Sequence, residues 1–449
     1  MNTPYRLPVK PTLSKGPGFF LGLLILAILP LSVPAKDVLN YEYPAQSAAR
    51  STVLGTPARL VSPLAIPGEI RERNYYLDMN KPELEGLKRQ RRYGVHRLGF
   101  SLAYQETPAP LVVSIAGTGG NHEGGKAQLM KRLLYRAGFH VLSLTSPTHP
   151  EFIFAASSTN HAGISPDDAQ DLYTIIQRAL EEVGSTVEIT DFYLTGYSLG
   201  GLNAAFISQL DDQVGAIGFS KVLLINPPVN LLTSVTNLTD IVSSDEVFER
   251  TGSHSLKGFF DPVLQRLADY YKREGQLDLT GDAMYRIAEG VELSDFDLRM
   301  LVRVSFGFST ADMVFVSDVL NQYGFIVPVG QQNTLIQGNN NIYLRRSASW
   351  TFLDYFRHMV LPYWQLTHPQ ATEESAVIAW SLLGMQEYLA SQSKIHVQHN
   401  IDDLILGEGD IDFIRSTFGD RALIYPAGGH CGNMKHRRNV DDMLAFFNN

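Results

Sequence analysis

One serine stands where a strand pattern meets a helix pattern. Residues 194–201 read LTGYSLGG, so Gly196, Ser198 and Gly200 form a G-x-S-x-G pattern between a strand-like apolar run and an alanine-rich helical run. A sharp strand-to-helix reversal lifts its central side chain above the sheet, and only small residues fit two positions away. The helix start also offers free N–H groups and a positive dipole end. The pattern predicts a nucleophilic Ser198; its alternative is an ordinary junction with an incidental serine.

A serine hydroxyl is a poor nucleophile until a base accepts its proton. His430 is the candidate base, because GGHCGN follows the last predicted strand and its glycines leave a histidine there accessible. An acid fixes the tautomer of such a base, and HNIDD ends the preceding predicted strand. Asp402 and Asp403 compete for this role. The spacing favours Asp403, with His399 in the last core position.

A second glycine-rich turn suggests a different chemistry. From Gly120 to Lys126 the spacing is G-x4-G-K, which is most of a phosphate-binding loop. Residue 127 is Ala, however, where such a loop needs a Ser or Thr for Mg²⁺. Histidines and acids show no metal-ligand spacing. The sequence therefore predicts neither a nucleotide cofactor nor a metal.

Strand and helix patterns alternate along the first half of the chain. Apolar, β-branched runs typical of buried strands alternate with amphipathic helical runs and short turns; the strands are expected at 110–117, 139–147, 191–198 and 220–229, the helices at 126–138 and 165–184. This alternation predicts an α/β fold with a mostly parallel sheet covered by helices on both faces.

The alternation stops after Val229. Residues 230–393 read mostly as helices, and the strand pattern returns at 394–403 and 421–430. An insertion of that size with its own helices is a domain rather than a loop. We therefore expect a core at 93–229 and 394–449, with a helical cap inserted before the penultimate core strand.

The N-terminus has the pattern of a targeting segment. Arg6, Lys10 and Lys15 precede the apolar run at 19–29, and small residues lead to Ala35. The run is shorter than the roughly 20 residues that a spanning helix needs. Residues 1–35 are therefore expected to be a cleaved signal peptide that directs export; the alternative is a membrane anchor at 19–29.

Composition narrows the remaining possibilities. The 36–92 segment, rich in proline, alanine and charge, is expected to be an N-terminal extension on the surface. The formal net charge of -9 makes a broad nucleic-acid surface unexpected. Cys431 is the only cysteine, so no internal disulfide can form.

The chain order Ser198, Asp403, His430, together with the G-x-S-x-G turn, resembles the α/β-hydrolase superfamily. The resemblance covers 93–229 and 394–449, and 230–393 stands where that superfamily often carries a cap. It implies an oxyanion hole formed by two backbone N–H groups. One would come from Thr118, in the loop after the strand that ends IAGTGG, and the other from Leu199. Here Ala116-Gly117 replaces the usual His-Gly of that loop.

The resemblance also implies an activity. We expect a serine hydrolase that cleaves an ester of a small-molecule or lipid-like acyl substrate without a cofactor. Acyl transfer or peptide hydrolysis by the same three residues are the alternatives, as is a binding protein that keeps the fold without catalysis. Aromatic residues of the 230–393 insertion would build the core of the cap or, in part, an apolar acyl site.

Overall fold

A nine-stranded sheet runs through the part of the chain that the structure describes. The computed structural model describes residues 34–44, 46–79, 97–184, 186–251, 293–331 and 341–449. The strands are β1 (Lys36–Asp37), β2 (Glu72–Asp78), β3 (Arg97–Ala103), β4 (Ala109–Ile115), β5 (His140–Leu144), β6 (Ile189–Tyr197), β7 (Lys221–Ile225), β8 (Ile395–Asn400) and β9 (Ala422–Tyr425).

Most strand pairs are parallel. The spatial order is β1-β9-β8-β7-β6-β4-β5-β3-β2. Only the β2–β3 and β3–β5 pairs are antiparallel, and the other neighbours run parallel. The predicted mostly parallel sheet is confirmed. All four central strands that the sequence indicates in the first half are present. β5 and β7 are shorter than expected, whereas β4 and β6 begin one and two residues earlier than expected.

Helices cover both faces of this sheet. The helices that precede or alternate with the first seven strands are α1 (Ala48–Leu54), α2 (Gly125–Arg136), α3 (Pro150–Ala155), α4 (Ser165–Val183) and α5 (Leu199–Val214). Two more helices, Asp410–Phe418 and Arg437–Asn448, lie near the C-terminus. Short 3₁₀ helices occur at Ala58–Leu60, Pro63–Ala65 and Gly419–Arg421.

The side chains of β4 show how the two faces are separated. Leu111, Val113 and Ile115 pack into one hydrophobic cluster together with residues of α4 and α5. Val112, between them, packs into a second cluster with residues of α2 and of the last helix. Successive side chains of a strand point to opposite faces, so a strand covered on both faces is apolar throughout. The continuous apolar run LVVSI therefore indicates a strand whose two faces are both covered.

Between β7 and β8 the described chain is helical. The helices there are α6 (Leu231–Asp240), α7 (Ser244–Thr251), α8 (Asp295–Asn321), α9 (Asn341–Ser347), α10 (Phe352–Tyr355), α11 (Leu361–Gln365), α12 (Glu373–Ala379) and α13 (Gln386–Ser391), with a π-helical turn at Phe356–Val360 and a 3₁₀ helix at Leu382–Met385. The two C-terminal helices are then α14 (Asp410–Phe418) and α15 (Arg437–Asn448). The insertion therefore precedes the penultimate strand of the core, as expected, although its 230–393 boundary stays a prediction.

The longest inserted helix is α8. Ser294 caps its N-terminus, and Asp297 completes a reciprocal capping box. Within the described part of the chain, α8 alone is long and apolar enough to cross a membrane, and half of its most apolar stretch is buried inside the protein. A buried core helix passes the same test, so this is weak evidence for a span.

The expectation that 36–92 lies on the surface as an extension is wrong for its described part. β1 pairs with β9 at one edge of the sheet and β2 pairs with β3 at the other, and Ala49, Ser51 and Leu54 of α1 are buried. The sequence of β2 is ERNYYLD, whose mostly exposed residues suit an edge strand and give no apolar signal. Residues 80–92 and the expected signal segment up to position 33 lie outside the described residues.

Candidate active site

Ser198 occupies a strained position between β6 and α5. Its backbone has φ 56 and ψ -129, a conformation that costs a non-glycine residue about 1–3 kcal/mol. A Cβ atom at Gly196 would overlap the carbonyl oxygen of Gly200, and one at Gly200 would overlap that of Ile115. The two glycines are thus required by backbone contacts, for the steric reason that the sequence pattern suggests.

Three predicted side chains meet beyond this turn. The Nε2 atom of His430 lies 2.8 Å from the Ser198 Oγ atom. Its Nδ1 atom lies 2.9 and 3.0 Å from the two carboxylate oxygens of Asp403. Asp403 also accepts hydrogen bonds from the Asn226 side chain at 2.8 Å and from the Ile405 amide at 3.1 Å. Serine, imidazole and carboxylate therefore form a continuous hydrogen-bonded chain.

The electrostatics of this chain favour an ionised acid. Burial of Asp403 disfavours its charged form, but attraction to His430 and the hydrogen bond from it outweigh that cost. The pKa of Asp403 consequently lies below its ordinary value. A buried carboxylate that stays charged can orient the imidazole and stabilise its protonated form.

The neighbouring aspartate has a different position. Asp402 accepts hydrogen bonds from the amides of Gly428 and Gly429, at 3.2 and 2.8 Å. It therefore fixes the turn that leads to His430, whereas Asp403 contacts the imidazole itself. Of the two candidates that the sequence left open, the structure brings only Asp403 against the ring.

Helix α1 supports the histidine from behind. The His430 amide donates a hydrogen bond of 2.8 Å to the Thr52 hydroxyl. The Thr56 hydroxyl donates to the Gly432 carbonyl at 3.0 Å, and a Cβ atom at Gly432 would overlap the Ser51 carbonyl oxygen. Sequence reasoning missed Thr52, because the contact spans 378 residues. The run SAARSTVLG signals a short capped helix but not where it docks.

The predicted oxyanion residues flank Ser198. Leu199 is the first residue of α5, and the first amides of a helix lack intrahelical acceptors. Thr118 lines the same cleft as Ser198 and His430. A Cβ atom at Gly117 would lie 3.0 Å from the Ser198 Cβ atom, so the loop passes close to the serine. Both positions are suitable for amide donors.

A cleft of about 580 Å³ opens over the serine, and the inserted helices form part of its wall. Leu238 of α6 and Leu301, Val302 and Phe306 of α8 line it. Phe306 also borders a second cavity of about 240 Å³, next to Trp350 and Phe352. Some aromatic residues of the insertion therefore lie beside the cleft, while Trp380 is buried in the core.

Of the other histidines, His399 also lies near Asp403: its Nδ1 atom is 3.8 Å from a carboxylate oxygen of Asp403. His122 and His149 line a neighbouring cavity of about 410 Å³, and His161 bonds the Tyr323 hydroxyl at 2.9 Å. His399 bonds the Pro227 carbonyl at 3.0 Å, and His436 caps α15. Among the residues described, no group of three or more His, Cys, Asp or Glu side chains could hold a metal ion.

The single cysteine, Cys431, is the residue after His430. Cys431 has φ 58, a left-handed conformation, and its side chain is buried. Burial raises the pKa of its thiol to about 12, so the thiol is protonated at neutral pH and is a poor nucleophile. Its position beside His430 is thus a packing feature of the turn.

The order of these residues along the sheet decides the architecture. Ser198 follows β6, Asp403 follows β8 and His430 follows β9. In one fold, the serine lies on a sharp strand-to-helix turn of a mostly parallel sheet, and the acid and then the histidine follow it in the chain. The chain has the α/β-hydrolase fold. The inserted helices stand before the penultimate strand, where the sequence placed a cap.

Comparisons with known proteins add little to this α/β-hydrolase assignment. No family model and no curated protein sequence matches the chain. Solved structures that resemble it include a putative hydrolase from Legionella pneumophila, with 10% identity, a TM-score of 0.44, and 90% of this chain and 95% of that one covered.

Two esterases resemble the chain to a similar degree, as judged by identity, TM-score and coverage. One, from Pyrobaculum calidifontis, is 14% identical with a TM-score of 0.39, covering 89% of this chain and 87% of that one. The other, from Pseudomonas putida, is 12% identical with a TM-score of 0.40, covering 89% and 86%.

The steric role of the glycines leads to a stability prediction. Gly200→Ala should lower the free energy of unfolding by about 2 kcal/mol or more, because its Cβ would overlap the Ile115 carbonyl. Gly125→Ala is the matched control, since a Cβ there meets no atom within 4 Å. Urea denaturation of both variants measures the difference. Equal stabilities would contradict the proposed close packing.

Proposed function

We propose that this protein is an exported serine hydrolase that cleaves an ester bond of a small-molecule or lipid-like acyl substrate. One observation carries the proposal: the Ser198 Oγ atom lies 2.8 Å from His430 Nε2, while His430 Nδ1 lies 2.9 Å from Asp403. A nucleophile in contact with a base, and a base in contact with an orienting acid, is the arrangement that activates a hydroxyl.

The reaction has two halves. In the first, Ser198 Oγ attacks the ester carbonyl carbon as His430 Nε2 accepts its proton, and His430 then gives that proton to the departing alcohol. In the second, His430 takes a proton from water, the resulting hydroxide attacks the acyl-serine, and the proton returns to Ser198 as the acid leaves. Asp403 stabilises the imidazolium in both halves. No cofactor is required.

The negative charge that develops on the carbonyl oxygen needs donors already in position. We assign these to the amides of Thr118 and Leu199, each worth about 3–4 kcal/mol of transition-state stabilisation. Two other amides of the loop already donate hydrogen bonds within the protein. Gly119 donates to the Thr148 hydroxyl at 2.8 Å, and Gly120 donates to the Gly117 carbonyl at 2.9 Å. This supports Thr118 as the donor from the loop.

The roles of the side chains predict a graded series of variants. Ser198→Ala should abolish hydrolysis of a 4-nitrophenyl ester, and Asp403→Asn should lower kcat about 10⁴-fold because the wrong tautomer is held. Asp402→Asn, the neighbouring control, should lose far less, because Asp402 contacts only the turn.

Steady-state kinetics on folded variants, checked by circular dichroism, measures this series. Equal losses for the two aspartates would contradict the assignment of Asp403. Products formed with an added alcohol or amine distinguish hydrolysis from acyl transfer, and amide substrates test for peptidase activity. A folded protein inert towards all of them would favour a binding role.

Thr52 acts through His430 as a positioning residue. Thr52→Val leaves the His430 amide without its acceptor, which costs about 1–3 kcal/mol. We expect kcat to fall about tenfold with a smaller change in KM, and Thr52→Ser to restore it. A Thr52→Val enzyme that loses thermal stability but keeps its kcat would show a structural role alone.

Export rests on the sequence of residues 1–35. Expression of the full chain in a host with a secretory pathway should give a mature protein beginning at Lys36, outside the cytoplasm, as measured by intact mass and N-terminal sequencing. A protein that retains residues 19–29 and sediments with membranes would instead support the anchored alternative. A full-length protein in the soluble cytoplasmic fraction would contradict both.

A further inference from the structure

Lys126 is a charged residue that the reaction above does not use. It is exposed, and it lines the cleft that contains Ser198 and His430. Apart from His430, the other described residues lining this cleft are apolar, hydroxyl-bearing or glycine, and none is a carboxylate. Lys126 is therefore the one residue among them, besides His430, that has a basic side chain. Among the described lining residues, a substrate in this cleft meets a positive charge without a carboxylate beside it.

Lys126 forms no ion pair with the residues that the structure describes. The nearby acid Glu123 lines the other cavity and accepts a hydrogen bond of 2.7 Å from Asn74. An unpaired cation in a chain of net charge -9 is suited to an external anion.

The positive charge of Lys126 acts on the turn that carries His430. Burial raises the pKa of the Cys431 thiol, and the positive charge of Lys126 opposes that rise. Cys431 is the residue after His430. The start of α2, where Gly124 and Gly125 also line the cleft, adds a field of the same sign.

We infer that the hydrolase acts on esters that carry a second, negatively charged group, and that Lys126 binds this group. The inference rests on the proposed function and names its substrate class: an ester whose acyl or alcohol part bears a carboxylate or phosphate. The glycine-rich turn ending in Lys126 thus recognises an anion, although Ala127 lacks the hydroxyl of a nucleotide-binding loop. The apolar residues of α6 and α8 contact the uncharged part of the substrate.

Paired substrates test the inference. For an anion on the acyl side, 4-nitrophenyl hemiglutarate is compared with 4-nitrophenyl pentanoate; for the alcohol side, 4-carboxyphenyl butanoate is compared with phenyl butanoate. The quantity measured is the ratio of kcat/KM for the anionic ester to that for the neutral ester. We expect Lys126→Met to lower this ratio at least about tenfold in one pair, which corresponds to about 1.4 kcal/mol.

Two further variants separate charge from structure. Gly125→Asp adds a carboxylate at the cleft in open space and should lower the ratio as well. Lys36→Met removes the same charge from the exposed strand β1, outside the cleft, and should leave the ratio unchanged. For the unchanged protein the ratio should also fall with added salt, because the Debye length shrinks from about 30 Å at 0.01 M to about 3 Å at 1 M.

A binding measurement keeps this inference separate from the proposed reaction. Calorimetry of 4-carboxyphenyl butanoate, hemiglutarate ester and their neutral partners with Ser198→Ala protein requires no turnover, and Lys126→Met should weaken binding of an anionic member selectively. Turnover of neutral esters with ratios that Lys126→Met and salt leave unchanged would overturn the anion inference alone. Absence of all turnover would overturn the proposed reaction, and calorimetry would still decide the role of Lys126.

Discussion

The whole arrangement depends on one imidazole that contacts a hydroxyl on one side and a carboxylate on the other. The two contacts of His430, 2.8 Å to Ser198 and 2.9 Å to Asp403, allow little displacement of any partner. The serine and the histidine are 232 residues apart in the chain. A parallel sheet solves this problem because the carboxyl ends of its strands meet at one edge. Strands β6, β8 and β9 each end at the site, and their relative positions are fixed by backbone hydrogen bonding.

Strain at the site is held by contacts from several directions. Ser198 and Cys431 both adopt left-handed backbone conformations, which ordinary residues avoid. Gly196 and Gly200 admit the sharp turn at the serine, and Asp402 and Thr52 secure the turn at the histidine. Rigid support of this kind is what a preorganised site requires, since displacements of about 1 Å can cost 10²-fold in rate. Residues of the inserted helices α6 and α8 line the cleft above the serine.

Local signals in the sequence were sufficient for the central sheet and for the serine turn. The run LVVSI is apolar because both faces of β4 are covered. The G-x-S-x-G pattern lies within five consecutive residues, so it can be recognised without knowledge of the fold. Edge strands carry no such signal. β1 has two residues and β2 is mostly exposed, so the sequence pattern of 36–92 predicts a surface extension instead. Their place in the sheet depends on pairing with distant strands.

Contacts between distant residues account for what sequence reasoning missed or left open. Asp402 and Asp403 are adjacent and chemically identical, and they differ only in what faces them: two glycine amides for one and an imidazole for the other. The sequence around Thr52 shows only a helix, and the role of its hydroxyl depends on the distant His430 turn that packs against it. Lys126 belongs to a motif that first suggested a phosphate loop, and only its place in the serine cleft gives it a different meaning.

The most direct test of the central claim is covalent labelling of the purified protein by a fluorophosphonate, located by mass spectrometry of its peptides. An activated Ser198 predicts one adduct per chain, on Ser198, and a large loss of labelling rate when His430 is replaced by Ala. Labelling at another residue, or equal labelling without His430, would contradict the role given to the imidazole.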